Sequence, residues 1–263
     1  MPIPHERTLS VVKIGGSVLT GPPAFRRAAS FVAQLLADAP NRQLVVVVSA
    51  EHGMTDALLS SAQDFAADPD PETLDLLWST GEIRSVALLV LALQALGVRA
   101  AGLNVHQTGL IEPAPAGGAG RVELRPLRLR AALATADAVV VPGFLARRGG
   151  DGIASLGRGG SDLTAVLLAA GLGACTCELV KDVPGYFSAD PHQHPDAERL
   201  DRITFDRALD MARYGCDLVQ PAALEAARAA NLTLRVRAIE HGNGTLVLSG
   251  SDLVSCKNAR NKI

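Results

Sequence analysis

Leu44-Val45-Val46-Val47-Val48-Ser49 sets four β-branched residues in a row with nothing polar between them. A strand with one wet face alternates apolar and polar side chains, because successive side chains point to opposite faces. An unbroken valine run therefore predicts a strand covered on both faces, as in a parallel sheet sandwiched between helices. Further short apolar, β-branched runs lie outward from it, at 10–14, 98–103, 138–141, 175–180, 232–239 and 245–248.

Segments of helical period separate these runs. Residues 25–38 place Phe31, Val32, Leu35 and Leu36 on one face. Residues 84–96 are apolar nearly all round, which predicts an interior helix. Residues 161–171 open on Ser-Asp and end at Gly171. Thr204 reads as an N-cap with Asp206 in the first turn, Pro221 as a first helical residue and Asn231 as a stop. Strands alternating with helices predict an α/β fold: a three-layer α/β/α sandwich with a mainly parallel central sheet.

Composition bounds the function. The chain has 263 residues, 48% of them apolar, enough for one large domain or two small lobes. A net charge of −2 leaves no electrostatic footprint for nucleic acid, and 3% aromatics leave few platforms for stacking bases. The apolar stretch 86–96 is short of the about 20 residues a bilayer span needs. The N-terminus, MPIPHERTLS, shows no secretory signal, and four cysteines without a paired framework fit a reducing compartment. The expectation is a cytoplasmic protein with neither a nucleic-acid nor a membrane partner. The breakers are PAPAGGAG at 113–120 and RRGGDG at 147–152. The second suggests a boundary between a lobe at 1–152 and a lobe at 153–263, and the polar tail after Gly250 is expected to fray.

Four stretches carry chemistry. Val11-Val12-Lys13-Ile14-Gly15-Gly16-Ser17 runs a strand into two glycines and a hydroxyl. Glycines let backbone N–H groups approach phosphate oxygens, and a lysine supplies charge to a phosphoryl group in transfer. The bland alternative is a Gly turn beside a lysine whose head reaches solvent. Only four lysines stand against 21 arginines, so each is conspicuous. Gly157-Arg158-Gly159-Gly160-Ser161-Asp162 places a Gly-rich turn at a helix start, where anions bind, and Arg158 could clamp a carboxylate or phosphate. Taken alone, Asp162 reads first as a helix-capping acid. Lys181-Asp182-Val183-Pro184-Gly185-Tyr186 follows a strand as a nucleotide-contacting loop would, or as an ordinary turn. Ser79-Thr80-Gly81-Glu82 sits at the predicted mouth of the interior helix, where Glu82 either binds an ammonium or complements the helix dipole.

Together, in this order and strand context, these stretches resemble the catalytic domain of aspartate kinases, within the amino acid kinase family. The resemblance runs from about residue 9 to 248 through VVKIGGSV, VVVVSAEHGMTDALL, LLWSTGEI, VVVPGF, SLGRGGSDLTAVLLAAGL, CELVKDVPGYFSADP and LRVRAIEHGNGTLV. It implies that Lys13 and Asp162 are catalytic, the lysine stabilising the phosphoryl group and the aspartate orienting that charge. It implies further that Ser49, Thr55, Glu82, Arg158 and Ser161 hold the amino acid, with Glu82 on its ammonium and Arg158 on its α-carboxylate. Gly15, Gly16 and Ser17 would line the phosphate path, and Lys181, Asp182, Gly185, Tyr186 and Asp217 would lie on the nucleotide side. The implied reaction phosphorylates the β-carboxylate of L-aspartate with ATP and Mg2+, in a homodimer. The alternatives are a same-fold kinase for another amino acid or carboxylate, and a non-catalytic nucleotide-binding member.

The chain also departs from that pattern. The family usually continues into ACT regulatory domains, so in-chain feedback control is not expected, and a separate regulatory chain is the alternative. Where the family carries Gly-Ala-Lys, this chain has Gly215-Cys216-Asp217, and its Thr-Asp-Val is here Lys181-Asp182-Val183. The reciprocal change suggests that Lys181 and Asp217 pair; the alternatives are unrelated drift with weakened ATP affinity and loss of catalysis. Leu103-Asn104-Val105-His106-Gln107 also differs from the usual Leu-Thr-Gly-x-Gln. Cys175 and Cys177 read as buried thiols, and His192 with His194 as a solvated loop lacking a third metal ligand.

Overall fold

The computed structural model describes residues 7–112, 122–157, 159–240 and 242–250. The 113–120 breaker, Arg158 and the tail after Gly250 fall outside the described residues. In chain order the elements are β1 (Thr8–Ile14), α1 (Gly21–Ala37), β2 (Arg42–Val48), α2 (Met54–Gln63), α3 (Pro71–Ala95), β3 (Ala100–Gly102), α4 (Val105–Thr108), β4 (Leu110–Glu112), β5 (Glu123–Leu124) and α5 (Leu127–Leu133). There follow β6 (Ala138–Pro142), β7 (Leu145–Arg148), β8 (Gly152–Ser155), α6 (Gly160–Leu172), β9 (Thr176–Val180), β10 (Arg202–Thr204), α7 (Phe205–Arg213), α8 (Pro221–Ala229), β11 (Leu234–Arg237) and β12 (Thr245–Leu248).

The main sheet has the order β10-β12-β11-β9-β1-β2-β6-β3. Its pairings are parallel except for β11 with β12. The valine run behaves as read: Val45 to Val48 are all fully buried. Val45 and Val47 join the core under α6 and α8. Val46 and Val48 join the core under α1 and α3, with Phe25, Val32, Leu89 and Leu93. Period-two alternation thus feeds two cores, one on each face, and the α/β/α sandwich follows.

Several elements differ from the sequence expectation. Residues 84–96 are only the second half of α3, which begins at Pro71 behind an Asp70 cap that accepts from the Thr73 N–H at 2.8 Å. At 25 residues α3 is, among the described residues, the one helix long and apolar enough to cross a membrane. Here it packs one face on α1 and the sheet, with Asp75, Ser79, Glu82 and Ser85 buried, while Leu76, Ile83, Leu91 and Leu96 are exposed, so the expected interior helix is covered on one side only. The breaker at 147–152 is the β7–β8 hairpin, part of a second sheet of order β5-β4-β7-β8. α2 and α5 were not foreseen.

Local signals set the boundaries that matter to the site. Gly157 and Gly159 sit at φ +79° and +69°, a left-handed backbone that side chains with a Cβ rarely adopt, and they turn the chain into α6. Asn231, at φ +50°, ends α8 as expected.

Candidate active site

β1 lies between β2 and β9, and Lys13 stands opposite Val47 on one side and Leu179 on the other. The C-terminal ends of these parallel strands are where ligands gather in such sheets. There the chain leaves β1 through Gly15 and Gly16. A Cβ on Gly16 would lie 2.4 Å from the Ala50 carbonyl oxygen, so this close crossing requires glycine. The Gly15 N–H is already given to the Val180 carbonyl at 3.1 Å.

Lys13 is 6% exposed and its Nζ lies 2.9 Å from Asp162 Oδ1. Asp162, 2% exposed, reaches in from the first turn of α6. Its other oxygen, Oδ2, accepts a hydrogen bond from Lys181 Nζ at 2.7 Å. Burial alone would raise the Asp162 carboxyl, but the Lys13 and Lys181 charges outweigh it and hold the group below the usual range. Burial and the repulsion of Lys13 push Lys181 down to about 8, against the pull of Asp162.

The expected Lys181–Asp217 pair does not form. Lys181 follows β9 directly, and Asp162 takes its ammonium at hydrogen-bonding distance. Asp217 lies exposed in the α7–α8 connection, with no ion pair among the described residues.

A cavity of about 560 Å3 opens beside Lys13. It gathers Ser49, Thr55, Glu82 and Ser161 from four separate elements. Glu82 is 3% exposed, and its Oε2 has no hydrogen-bond partner among the described residues. Burial pushes its carboxyl up to about 8; an Ala50 backbone hydrogen bond and the Lys13 charge oppose the rise. Glu82 lies mid-helix rather than at a helix mouth, so the dipole reading of this residue falls. Gly157, Gly159 and Gly160 line the same cavity, on either side of Arg158.

Sequence reasoning missed the aromatic wall. Trp78 and Phe144 line this cavity and meet edge to face, ring centroids 5.7 Å apart. Trp78 Nε1 donates to the Thr55 carbonyl at 3.2 Å, tying α3 to α2. Phe144 holds φ +68°, an outlier for a bulky residue. Its N–H donates to Thr164 Oγ1 at 3.1 Å, and that hydroxyl donates in turn to the Gly160 carbonyl. The strained turn is thereby locked to the start of α6. The one hint in the sequence is Pro142-Gly143 just before it.

A second cavity, of about 660 Å3, lies between the loop after β9 and the α7–α8 connection. Gly185, Tyr186, Met211, Tyr214 and Cys216 help line it. Neither Asp182 nor Asp217 is among its lining residues; both are exposed. Tyr186 is buried, and desolvation raises its phenol above the usual range. Of the thiols read as buried, Cys177 is, whereas Cys175, just before β9, is exposed. His192 and His194 are exposed, and among the described residues no group of three or more His, Cys, Asp or Glu could hold a metal ion.

The model of the amino acid kinase family matches residues 8–238. The aspartokinase of Mycobacterium tuberculosis is 38% identical over 244 residues, which are 92% of this chain and 58% of that protein. This chain therefore spans about three-fifths of the curated relative's length. Among solved structures, aspartate kinase from Synechocystis superposes with a TM-score of 0.81 at 34% identity, over 92% of this chain and 40% of that one. Escherichia coli aspartokinase III, solved in complex with aspartate and ADP, gives 0.79 at 26% identity, over 92% and 64%.

Proposed function

Since this chain belongs to the amino acid kinase family, we propose that it transfers the γ-phosphoryl group of ATP to the β-carboxylate of L-aspartate. One observation carries the reading: a single cavity brings together Lys13, the buried carboxyl of Glu82 with one oxygen unpartnered among the described residues, and the hydroxyl residues Ser49, Thr55 and Ser161. An amino acid needs this set, an acid for its ammonium and donors for its carboxylates. The likeness to an enzyme solved with aspartate and ADP supports the choice of substrates.

In this reading Glu82 takes the α-ammonium, Ser49, Thr55 and Ser161 hold the carboxylates, and Arg158 closes on the α-carboxylate. Lys13 faces the group in transfer. Gly15 orders the loop through its bond to Val180, leaving Gly16 and Ser17 to line the phosphate path. The nucleotide base and ribose occupy the second cavity, beside Gly185 and Tyr186. Asp182 and Asp217 stand at its exposed rim and make the lesser contribution. Residues 1–152 supply most of the amino-acid side, joined there by Arg158 and Ser161, and the rest of 153–263 supplies the nucleotide side.

The acceptor carboxylate is already ionised, so its oxygen attacks phosphorus without a base. As that bond forms, the bond from γ-phosphorus to the bridging oxygen breaks, and ADP leaves with the electron pair. No proton moves, and catalysis reduces to alignment and positive charge. Asp162, already engaged by two ammonium groups, acts as a holder rather than a base. No described carboxylate cluster fits a resident metal, so Mg2+ would enter on the triphosphate and offset its charge. In this reading the protein works in the cytoplasm as a homodimer.

Incubation with MgATP, hydroxylamine and a panel of acidic amino acids tests the proposal, because hydroxylamine traps an acyl phosphate as its hydroxamate. Aspartate should give the strongest signal, and Lys13→Ala should lower it about 100-fold or more. Product only from another acid would replace aspartate as substrate. Nucleotide binding with no product from any acid would leave a non-catalytic protein.

A further inference from the structure

We propose that Lys181 is a second catalytic lysine, delivering its charge together with Lys13 to the phosphoryl group in transfer while Asp162 holds both ammonium groups in place. The inference rests on the phosphoryl-transfer reading above and assigns a role inside it.

The argument begins with the count of charges. A buried ion pair needs one cation and one anion, yet here two lysines share one aspartate, at 2.9 and 2.7 Å. The side chains are 7%, 14% and 3% exposed for Lys13, Lys181 and Asp162. An unbalanced buried charge is costly, and a second lysine adds repulsion without adding a partner. Such an excess persists where a bound anion completes it. Glu82 does not balance it, because its own carboxyl is desolvated and has an unpartnered oxygen.

Geometry gives the excess a direction. Lys13 is in register with Leu179 on the neighbouring strand. Lys181 lies two residues beyond Leu179, on the same face by the alternation of strand side chains. The Lys181 N–H is given to the Arg237 carbonyl at 2.8 Å, which fixes its backbone against β11. The two ammonium groups therefore come from adjacent strand ends and meet on one carboxylate at the start of α6. Lys13 lines the amino-acid cavity, and Lys181 begins the loop that forms the second cavity. Between the two cavities is where a γ-phosphoryl group must pass. Its peripheral oxygens carry most of the charge throughout transfer and offer more than one cation a place. Asp162 is then a positioning residue: it keeps two mutually repelling cations within reach of one small group.

The test compares Lys181→Met and Lys181→Arg with the parent protein. Lys181→Met should lower kcat about 100-fold and leave KM for the amino acid within about threefold, with Lys181→Arg recovering at least about tenfold of the loss. Removing an unbalanced charge should leave the thermal midpoint unchanged or raise it; a purely structural lysine would lower it. A second measurement is independent of the acid: calorimetry of ADP and Mg2+ with and without aluminium fluoride, a mimic of the phosphoryl group in flight. Fluoride should tighten ADP binding to the parent protein, and Lys181→Met should lose that tightening while still binding ADP. Should no acid give hydroxamate while the tightening persists and depends on Lys181, the substrate reading falls and the role of Lys181 stands. A Lys181→Met protein with parental kcat, or with parental tightening, overturns the inference. A parent that neither turns over nor tightens overturns both.

Discussion

Glu82 shows how one residue couples binding to pH. Its carboxyl is pushed up to about 8, so in the free protein it is protonated at pH 7. The groups around it are Lys13 from β1, the Ala50 N–H after β2 and, beyond Lys13, Asp162 and Lys181. None gives it a full counter-charge. An amino acid's ammonium would, and binding should then expel a proton. Calorimetry at pH 7 in two buffers of different ionisation heat should show about one proton released per aspartate bound, falling to none above about pH 9. Affinity should rise from pH 6 to 8, and Glu82→Gln should abolish both effects. Stability runs the other way. The folded protein keeps this proton while the unfolded chain loses it near the ordinary value of 4.5. The folded state therefore binds more protons between about 4.5 and 8, and Glu82 makes stability fall across that window as pH rises. A flat response in Glu82→Gln would confirm the source; an unchanged slope would assign it elsewhere. The sequence marks Lys13, Glu82, Ser161 and Asp162 by the glycines beside them, Gly15-Gly16, Gly81 and Gly159-Gly160. Trp78 and Phe144 carry no such mark, since an aromatic in an apolar stretch reads as core and the left-handed turn falls on Phe144 itself rather than on Gly143 before it.

At the scale of elements, α3 explains what periodicity hides. Its buried positions form one stripe, but Asp75, Ser79, Glu82 and Ser85 stand in that stripe while Leu76, Ile83 and Leu91 lie on the exposed face, so hydrophobicity does not mark it. The Asp70-Pro71 start was present in the sequence, but the mixed residues after it obscured the length. The extra turns set Glu82 in mid-helix on the buried face, where it is 3% exposed. Gly81 sits beside it at a helix-interior position that ordinarily costs about 1 kcal/mol. A Cβ there would come 3.0 Å from Met54 Cγ and 3.3 Å from Ala50 Cβ, so the glycine lets α2 close down on α3. Gly143 does the same for α6. A Cβ on it would lie 2.6 Å from both Cβ and Oγ of Ser161 and 3.0 Å from its Cα. Gly143→Ala should push the first turn of α6 outward and carry Asp162 and its two lysines with it. Misplacement by about 1 Å can cost about 100-fold in rate. We expect kcat to fall at least about tenfold while circular dichroism stays that of the folded protein; a parental rate would mean the turn yields elsewhere.

Over the whole molecule, division of labour does not require division of structure. β9, β11 and β12 on one side and β2, β6 and β3 on the other belong to a single sheet, with β1 between them. The core under α6 and α8 mixes Val11, Val45 and Val139 with Leu168, Leu224 and Leu234, from both sides of residue 152. Most of the main sheet was legible from its apolar runs, but its edge strand β10, Arg-Ile-Thr at 202–204, was not foreseen. The second sheet was not, because its strands are two to four residues long and too short to show a period. A shared sheet and a shared core predict one cooperative unfolding transition, to which both sites report. At about 100 times its dissociation constant, ADP should add about 2.7 kcal/mol. For a chain of this size that raises the midpoint by about 5–10 °C. Leu168→Ala, at a fully buried position facing the shared core, should cost about 2–5 kcal/mol. It should lower the same transition without splitting it, and ADP should shift the lowered transition upward as a whole. Two calorimetric peaks, with only one moved by ADP, would instead mean that the amino-acid and nucleotide sides fold separately. The lysines on Asp162 would then be joining two domains rather than two ends of one sheet.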